Sequence, residues 1–198
     1  MVAQTVLQTV KPTPGTPTAL FRGRKGKIDG IPVWLKGVSP TGDNDESHSP
    51  YHERAAYIIN EMLGLGLVPS TILHLVDGEV VSAMKWVRGK RPCQPQPPLL
   101  EMFDYLICNT DRHGGNWLVK PSGRVWAIDN AYSFRDYRYA DDFDYVELPT
   151  KIKQKMQDVA KDPRKFYRQL GGLLDRKQIT AVIKRIKVVL KENKKGGG

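Results

Sequence analysis

The sequence predicts an α+β fold in two lobes, a β-rich first part and a helical second part, and three observations predict it. Up to residue 88 the chain consists of short β-prone runs punctuated by Asp-Gly pairs, with one helical stretch among them. Residues 89–98, GKRPCQPQPP, form a proline-rich connector. From residue 99 onward, apolar residues recur mainly at helical spacing. The expected organisation is an N-lobe over 1–88, a connector over 89–98, a helical C-lobe over 99–193 and a disordered tail over 194–198. A chain of 198 residues suffices for one domain of ordinary size or two small lobes around a cleft.

TVLQTV (5–10) alternates and reads as a strand, and KPTPGTPT (11–18) as a loop. ALFRGRKGKIDGIPVWLKGV reads as two strands turning near Asp29-Gly30, the second running Ile31–Val38 with Lys36 near its end. Ser49-Pro50 opens a helix, since serine caps well and proline suits the first helical position. Ala55, Ala56, Ile58, Ile59, Met62 and Leu63 give that helix an apolar face, and Gly64 and Gly66 end it. TILHLV-DG-EVVSAMKWV is a hairpin around Asp77-Gly78. LLEMFDYLIC reads as a buried helix, and WLV and VWAI flank a KPSG turn as a second, smaller hairpin. Further helices begin at Asp162-Pro163 and at Asp175, which with Gln178 makes a capping box, and KENKKGGG is expected to fray.

Hydrophobic residues make up 40% of the chain and charged residues 26%, the mix of a soluble globular protein. Cys93 and Cys108 are too few for a disulfide framework and lack metal-ligand spacing, so a reducing, cytoplasmic setting is expected. MVAQTVLQTVKPTPG has no signal-peptide pattern, and no apolar run reaches the length of a membrane span. The net charge of +10 is unevenly placed: residues 148–198 hold 15 Lys and Arg against 4 Asp and Glu, and the rest is almost balanced. Such a block suits an anionic partner or is simply a solvated helix face. With little aromatic interleaving, nucleic acid is not the expected partner.

The densest polar stretch, NTDRHGGNWLV (109–119), lies between two apolar segments. Asp111 and Asn116 have the Asp-x4-Asn spacing that phosphoryl transfer uses, the Asp orienting a hydroxyl and the Asn supplying an oxygen to Mg²⁺. The spacing alone is weak, because Asp104 and Asn109 share it inside the apolar helix, where a structural role is expected. Gly114 and Gly115 suit a loop that turns sharply. Asp129 strengthens the pattern: Asn116 enters the small hairpin and Asp129 leaves it, so both can meet one cation. A strand lysine, Lys36, and a helix glutamate, Glu53, have the arrangement that sets the phosphates of a nucleotide.

With these residues the chain resembles the atypical kinases of the protein-kinase-like clan, namely the phosphoinositide 3- and 4-kinase-like, HipA-like and secretory-pathway kinase-like families. The resemblance runs from about Ile31 to Phe134, with NTDRHGGNWLV and AIDNAYSF its most specific part. It implies a bilobal kinase-like fold, with a β-rich N-lobe and a reduced helical C-lobe, that uses ATP and Mg²⁺, or Mn²⁺ in its place. By the resemblance Lys36 binds phosphates and is held by Glu53, and Met84, Lys85, Trp86 and Val87 form the hinge against adenine. Asp111 is then the catalytic acid/base, Asn116 and Asp129 are the metal ligands, and His113 assists charge development. Asn130-Ala131 stands where typical protein kinases have Phe-Gly, and no glycine-rich motif precedes Lys36. Gly15 and Thr16 in KPTPGTPT are the favoured cover for the phosphates, with FRGRKGKIDG as the alternative. The implied acceptor is a protein Ser/Thr hydroxyl. An inositol lipid or small molecule, or a nucleotide-binding pseudokinase scaffold, are the alternatives.

Overall fold

The computed structural model describes residues 23–37, 49–134 and 146–195, with side chains to residue 193. The strand expected at 5–10, the loop with Gly15 and Thr16, and Val38 lie outside the described residues. A four-stranded antiparallel sheet is built from β1 (Arg24–Ile28), β2 (Ile31–Lys36), β3 (Thr71–Val76) and β4 (Glu79–Lys85), in the order β1-β2-β4-β3. Both of its hairpins turn at the expected Asp-Gly pairs. Asp29 and Asp77 sit at φ 49° and 52° and the following glycines at 77° and 84°, the left-handed pair that a two-residue turn needs. β4 lies between β2 and β3, so the Lys36 strand is hydrogen-bonded to the strand that runs out into Met84–Val87.

Helix α1 (Pro50–Leu63) joins the two hairpins. Ser49 Oγ accepts from the Tyr51 amide, proline occupies the first turn, and Gly64 closes the helix at φ 72°. Asn60 is fully buried and its Oδ1 accepts from the Leu67 and Val68 amides at 2.7 and 3.1 Å, which fixes the chain leaving the helix. The later part contains α2 (Pro98–Ile107), the hairpin β5 (Trp117–Val119) and β6 (Val125–Ala127), α3 (Thr150–Lys161), α4 (Arg164–Leu170) and α5 (Arg176–Lys195). The Asp175/Gln178 capping box forms with reciprocal bonds of 2.9 and 2.7 Å. α5 continues to Lys195, past the point where fraying was expected. Buried Asn193 accounts for this: its Oδ1 accepts from the Leu148 amide and its Nδ2 donates to the Val189 carbonyl, stapling the last turn to the body.

The main core joins α1 to the helices. Ala55, Ile59 and Leu63 pack with Phe103, Leu106, Met156, Phe166 and Ile186, all fully buried. Each such large side chain contributes roughly 1.5–3 kcal/mol on burial. A separate small cluster lies on the sheet: Val33, Leu35, Val76, Val81 and Ala83. The basic block at the C-terminal end is mostly surface, with Lys177, Lys184, Lys187 and Lys191 exposed along α5. Arg185 is turned inward and donates to the Leu106 carbonyl at the end of α2.

Candidate active site

A cavity of about 890 Å³ lies where the sheet, α1, the connector and the β5–β6 hairpin meet. Strand β2 lines it with Trp34 and Lys36, which share a face because strand side chains alternate. β4 and the chain beyond it contribute Met84, Lys85, Trp86 and Val87, and the far wall is Leu118, Ile128 and Asp129.

Lys36 Nζ donates to Asp129 Oδ1 in an ion pair whose side chains are 13% and 39% exposed. Glu53 was expected to hold Lys36, and here it does not. Its carboxylate is 2% exposed and accepts from Asn130 Nδ2 at 3.3 Å. Burial raises its pKa, and Lys36 offsets that only in part. Of the two carboxylates near Lys36, Asp129 is the more exposed and takes the hydrogen bond, while Glu53 feels the ammonium's charge without bonding to it. Asp129 itself sits at φ 57°, in the left-handed region that non-glycine residues seldom occupy.

Arg112 organises the loop and was given no role from the sequence. Its guanidinium makes a forked contact with Asp104 (Nη2–Oδ1 2.8 Å, Nε–Oδ2 2.9 Å), and the two side chains are 3% and 8% exposed. Nη1 donates to the Asn116 and Ile128 carbonyls, and Nη2 donates to Asn130 Oδ1 at 2.6 Å. One side chain thus pins the residue that enters the hairpin and the residue before Asp129. A buried polar chain runs from Asp104 through Arg112 and Asn130 to Glu53, linking α2 to α1. Asp104 is structural, as its place in the apolar helix suggested. Burial raises its pKa, and Arg112, Gln96 and Asn109 counter the shift. His52 adds a second tie, with Nδ1 3.2 Å from the Ala131 carbonyl and its ring edge-on to Phe134.

Asp111 and Asn116 are in contact. Asn116 Nδ2 donates to the Asp111 carbonyl at 2.8 Å and to its Oδ2 at 3.2 Å, and Ile128 N donates to the Asn116 carbonyl at 3.0 Å. Asn116 lines the cavity, while Asp111 stands behind it. His113 is exposed at the cavity wall, where its Nδ1 accepts from the Gly115 amide at 3.0 Å. The chain turns at Gly114 and Gly115 as expected, closed by Asn116 N donating to the His113 carbonyl at 2.8 Å, although neither glycine adopts a positive φ. At Gly115 a Cβ would also come within 2.7 Å of the His113 ring.

Lys36, Glu53, Met84, Lys85, Trp86, Val87, His113, Asn116 and Asp129 therefore share one cavity, with Asp111 hydrogen-bonded at its edge. With Nδ2 committed to Asp111, Asn116 has Oδ1 left for a cation, and Asp129 adds a carboxylate. Among the described residues no three His, Cys, Asp or Glu side chains gather to hold a metal by themselves. Two oxygens fit Mg²⁺, which completes its shell with phosphates and water. Arg112, His52 and Asn130 were missed. The one available signal was Asp104, an acid within an apolar helix, which requires a buried cation.

A family model for phosphatidylinositol 3- and 4-kinase matches residues 99–174, which include α2, the polar loop and the small hairpin. The chain is similar in structure to the Helicobacter pylori proinflammatory kinase CtkA, with 13% identity, 93% of this chain and 95% of that one covered, and a TM-score of 0.55. It is also similar to the N-terminal 618-residue fragment of LepB from Legionella pneumophila, at 16% identity over 81% of this chain and 36% of that one, with a TM-score of 0.43. No curated protein matches. The fold is α+β and similar to that of the kinase CtkA. Among the described residues, no helix is long and apolar enough to cross a membrane.

Proposed function

We propose that this chain is an ATP- and Mg²⁺-dependent kinase that transfers a phosphoryl group to a hydroxyl, with protein serine or threonine as the acceptor. The observation that carries the reading is that Lys36, Asn116 and Asp129 face one cavity with Asp111 bonded to Asn116. In this reading Met84 to Val87 take the adenine, and Asn116 Oδ1 and Asp129 hold the metal. Mg²⁺, when bound, neutralises phosphate charge and aligns the transferred group. Lys36 exchanges Asp129 for the nucleotide phosphates, and the buried Glu53 is the carboxylate it approaches as it moves. Asp111 accepts the proton of the attacking hydroxyl and aims its oxygen, so catalysis is positioning plus electrostatics. His113 stands at the wall where charge spreads on the transferred group.

Incubation with labelled ATP, Mg²⁺ and a mixed acceptor set tests the reading. Asp129→Ala is expected to lower transfer by about 10³-fold or more. Equal label transfer from both proteins would sink it, and nucleotide binding without turnover on any acceptor would make the chain a pseudokinase scaffold. A lipid acceptor is the second reading, favoured by the family model's match over residues 99–174. In that reading the exposed lysines of α5 rest on an anionic bilayer, and transfer to phosphoinositide vesicles exceeds transfer to peptides.

A further inference from the structure

The connector after the hinge reads Arg88-Gly89-Lys90-Arg91, and the reaction proposed above leaves these cations unused. The connector does not hang free. Lys90 and Val119 exchange both backbone hydrogen bonds at 2.9 Å, an isolated antiparallel bridge that ties it to β5. Gly89 permits this approach, because a Cβ there would lie 2.8 Å from the Leu118 Cβ and 3.1 Å from the Val119 carbonyl oxygen. A Cβ on Gly114 would lie 3.8 Å from the Pro92 carbonyl oxygen, so the chain beyond Arg91 passes alongside the loop that bears Asp111 and His113.

The bridge therefore fixes the backbone that carries two arginines at the cavity wall. Arg88 and Arg91 both line the cavity, together with His113 and Gly115, and both are exposed. Neither takes part in an ion pair among the described residues, whereas Arg112 nearby is fully engaged. Among the described residues the cavity wall carries Lys36, Lys85, Arg88 and Arg91 against only Glu53 and Asp129, and Lys36 already meets Asp129. The surplus positive charge thus lies on the connector side, next to the place where a hydroxyl would approach Asp111.

We propose that Arg88 and Arg91 form an anion-binding subsite for the acceptor, and that the acceptor is an acidic peptide whose hydroxyl is flanked by carboxylates. The proposal rests on the kinase reading and deepens it by naming the acceptor class. Guanidinium forks match carboxylates two bonds at a time. Residues three apart on an extended connector are spaced by about 10 Å, which suits several carboxylates along an extended chain better than one compact headgroup.

The test compares wild type with the double variant Arg88→Gln/Arg91→Gln. Fluorescently labelled peptides carrying one serine flanked by glutamates or by lysines are titrated in the presence of Mg²⁺ and a non-hydrolysable ATP analogue. Wild type is expected to bind the acidic peptide at least about tenfold more tightly, with an affinity that falls as salt rises, and the variant to lose that preference. In turnover, the variant is expected to raise KM for the acidic peptide about tenfold with little change in kcat. Quenching of Trp34 and Trp86 by the analogue reports the nucleotide separately. Equal binding of the two peptides by wild type overturns the proposal. So does a parallel loss of nucleotide affinity in the variant, which would assign the arginines to ATP, or an arginine-dependent preference for phosphoinositide vesicles. Transfer without acid preference defeats this proposal alone, whereas no transfer to any acceptor and no quenching by the analogue defeats the kinase reading beneath it.

Discussion

The sheet and the helical body differ most in how firmly they are held. Five buried side chains, Val33, Leu35, Val76, Val81 and Ala83, make up the sheet's own cluster, and Ile28 and Ile72 pack beside them. The helical cluster takes in α1, α2, α3, α4 and α5 together and contains fully buried Phe103, Phe166, Met156 and Ile186. Glu53, Asp111, Asn116 and Asp129 all belong to the second region or are hydrogen-bonded into it, and only Lys36 stands on the first. A site assembled this way has a fixed acidic half and a cation on a lightly anchored strand. One polar tie between the halves is the part-buried Lys36–Asp129 pair, beside Arg54 of α1 donating to the Thr71 carbonyl of β3, and ion pairs that keep solvent contact are worth about 0–1 kcal/mol. The comparison teaches that, in the proposed reaction, the ammonium can leave Asp129 for a phosphate at small cost, while Asn116 and Asp129, proposed to hold the metal, stay on backbone that Arg112 pins.

The largest expected effect separates the two halves by function. Lys36→Met is expected to reduce turnover by about 10³-fold or more while changing unfolding free energy by less than about 1 kcal/mol. Urea denaturation alongside a transfer assay checks both, and a loss of more than about 2 kcal/mol would mean that the pair anchors the sheet after all. Next comes Arg112→Ala, which leaves Asp104 buried without its cation and strips the Asn116 and Ile128 carbonyls of their donor. It is expected to cost about 3–5 kcal/mol. Arg112→Lys keeps the charge but lacks the fork, so it is expected to recover part of the stability and less of the activity. Smaller still is Val81→Ala in the sheet, at about 2 kcal/mol, against about 3–5 kcal/mol for Phe103→Ala in the body. The sharper readout is hydrogen exchange. Val81→Ala should expose β1 and β2 amides and leave α5 protected, and equal loss of protection in both would make the molecule one cooperative unit.

Local signals were legible because the physics that fixes them spans a few residues. Asp29-Gly30 and Asp77-Gly78 make their turns through left-handed backbone at both positions. Ser49 caps α1, and Asp175 and Gln178 close on each other. That Asn116 and Asp129 line one cavity was also legible, since a hairpin returns the chain to its starting point and the Ile128–Asn116 hydrogen bond closes it, with Asp111 bonded to Asn116. What could not be read is selection among distant partners. Lys36 had two carboxylates within its region, and its bond to Asp129 joins positions 93 residues apart, a pairing set by packing that no spacing encodes. Arg112 is opaque for a similar reason: its acceptors come from four positions spread over 26 residues, two of them backbone carbonyls with no residue-type signature. The fold of each lobe follows from patterning, and the wiring between lobes follows from packing.

The smallest effect bears on that wiring. Glu53 is buried on the firm side of the cleft with Asn130 as its hydrogen-bond donor, and burial holds its pKa above the ordinary 4.5. A carboxyl whose folded pKa is raised favours folding only while protonated, so its contribution is complete below its unfolded pKa and is lost as pH rises through the folded value. Gln in its place still accepts from Asn130 and carries no charge to desolvate. Glu53→Gln is therefore expected to match wild type near pH 4 and to become the more stable protein as pH rises above the ordinary 4.5 toward neutrality. Its turnover is expected to fall, because the carboxylate that Lys36 approaches in the active arrangement is gone. Urea titrations across pH 4 to 8 decide the matter. If wild type instead gains stability over the variant as pH rises, Glu53 already has an effective cation in the resting protein, and that cation is Lys36. The sheet would then be tied to α1 through Glu53 as well, and the contrast between a loose cation and a fixed acidic half would fail there.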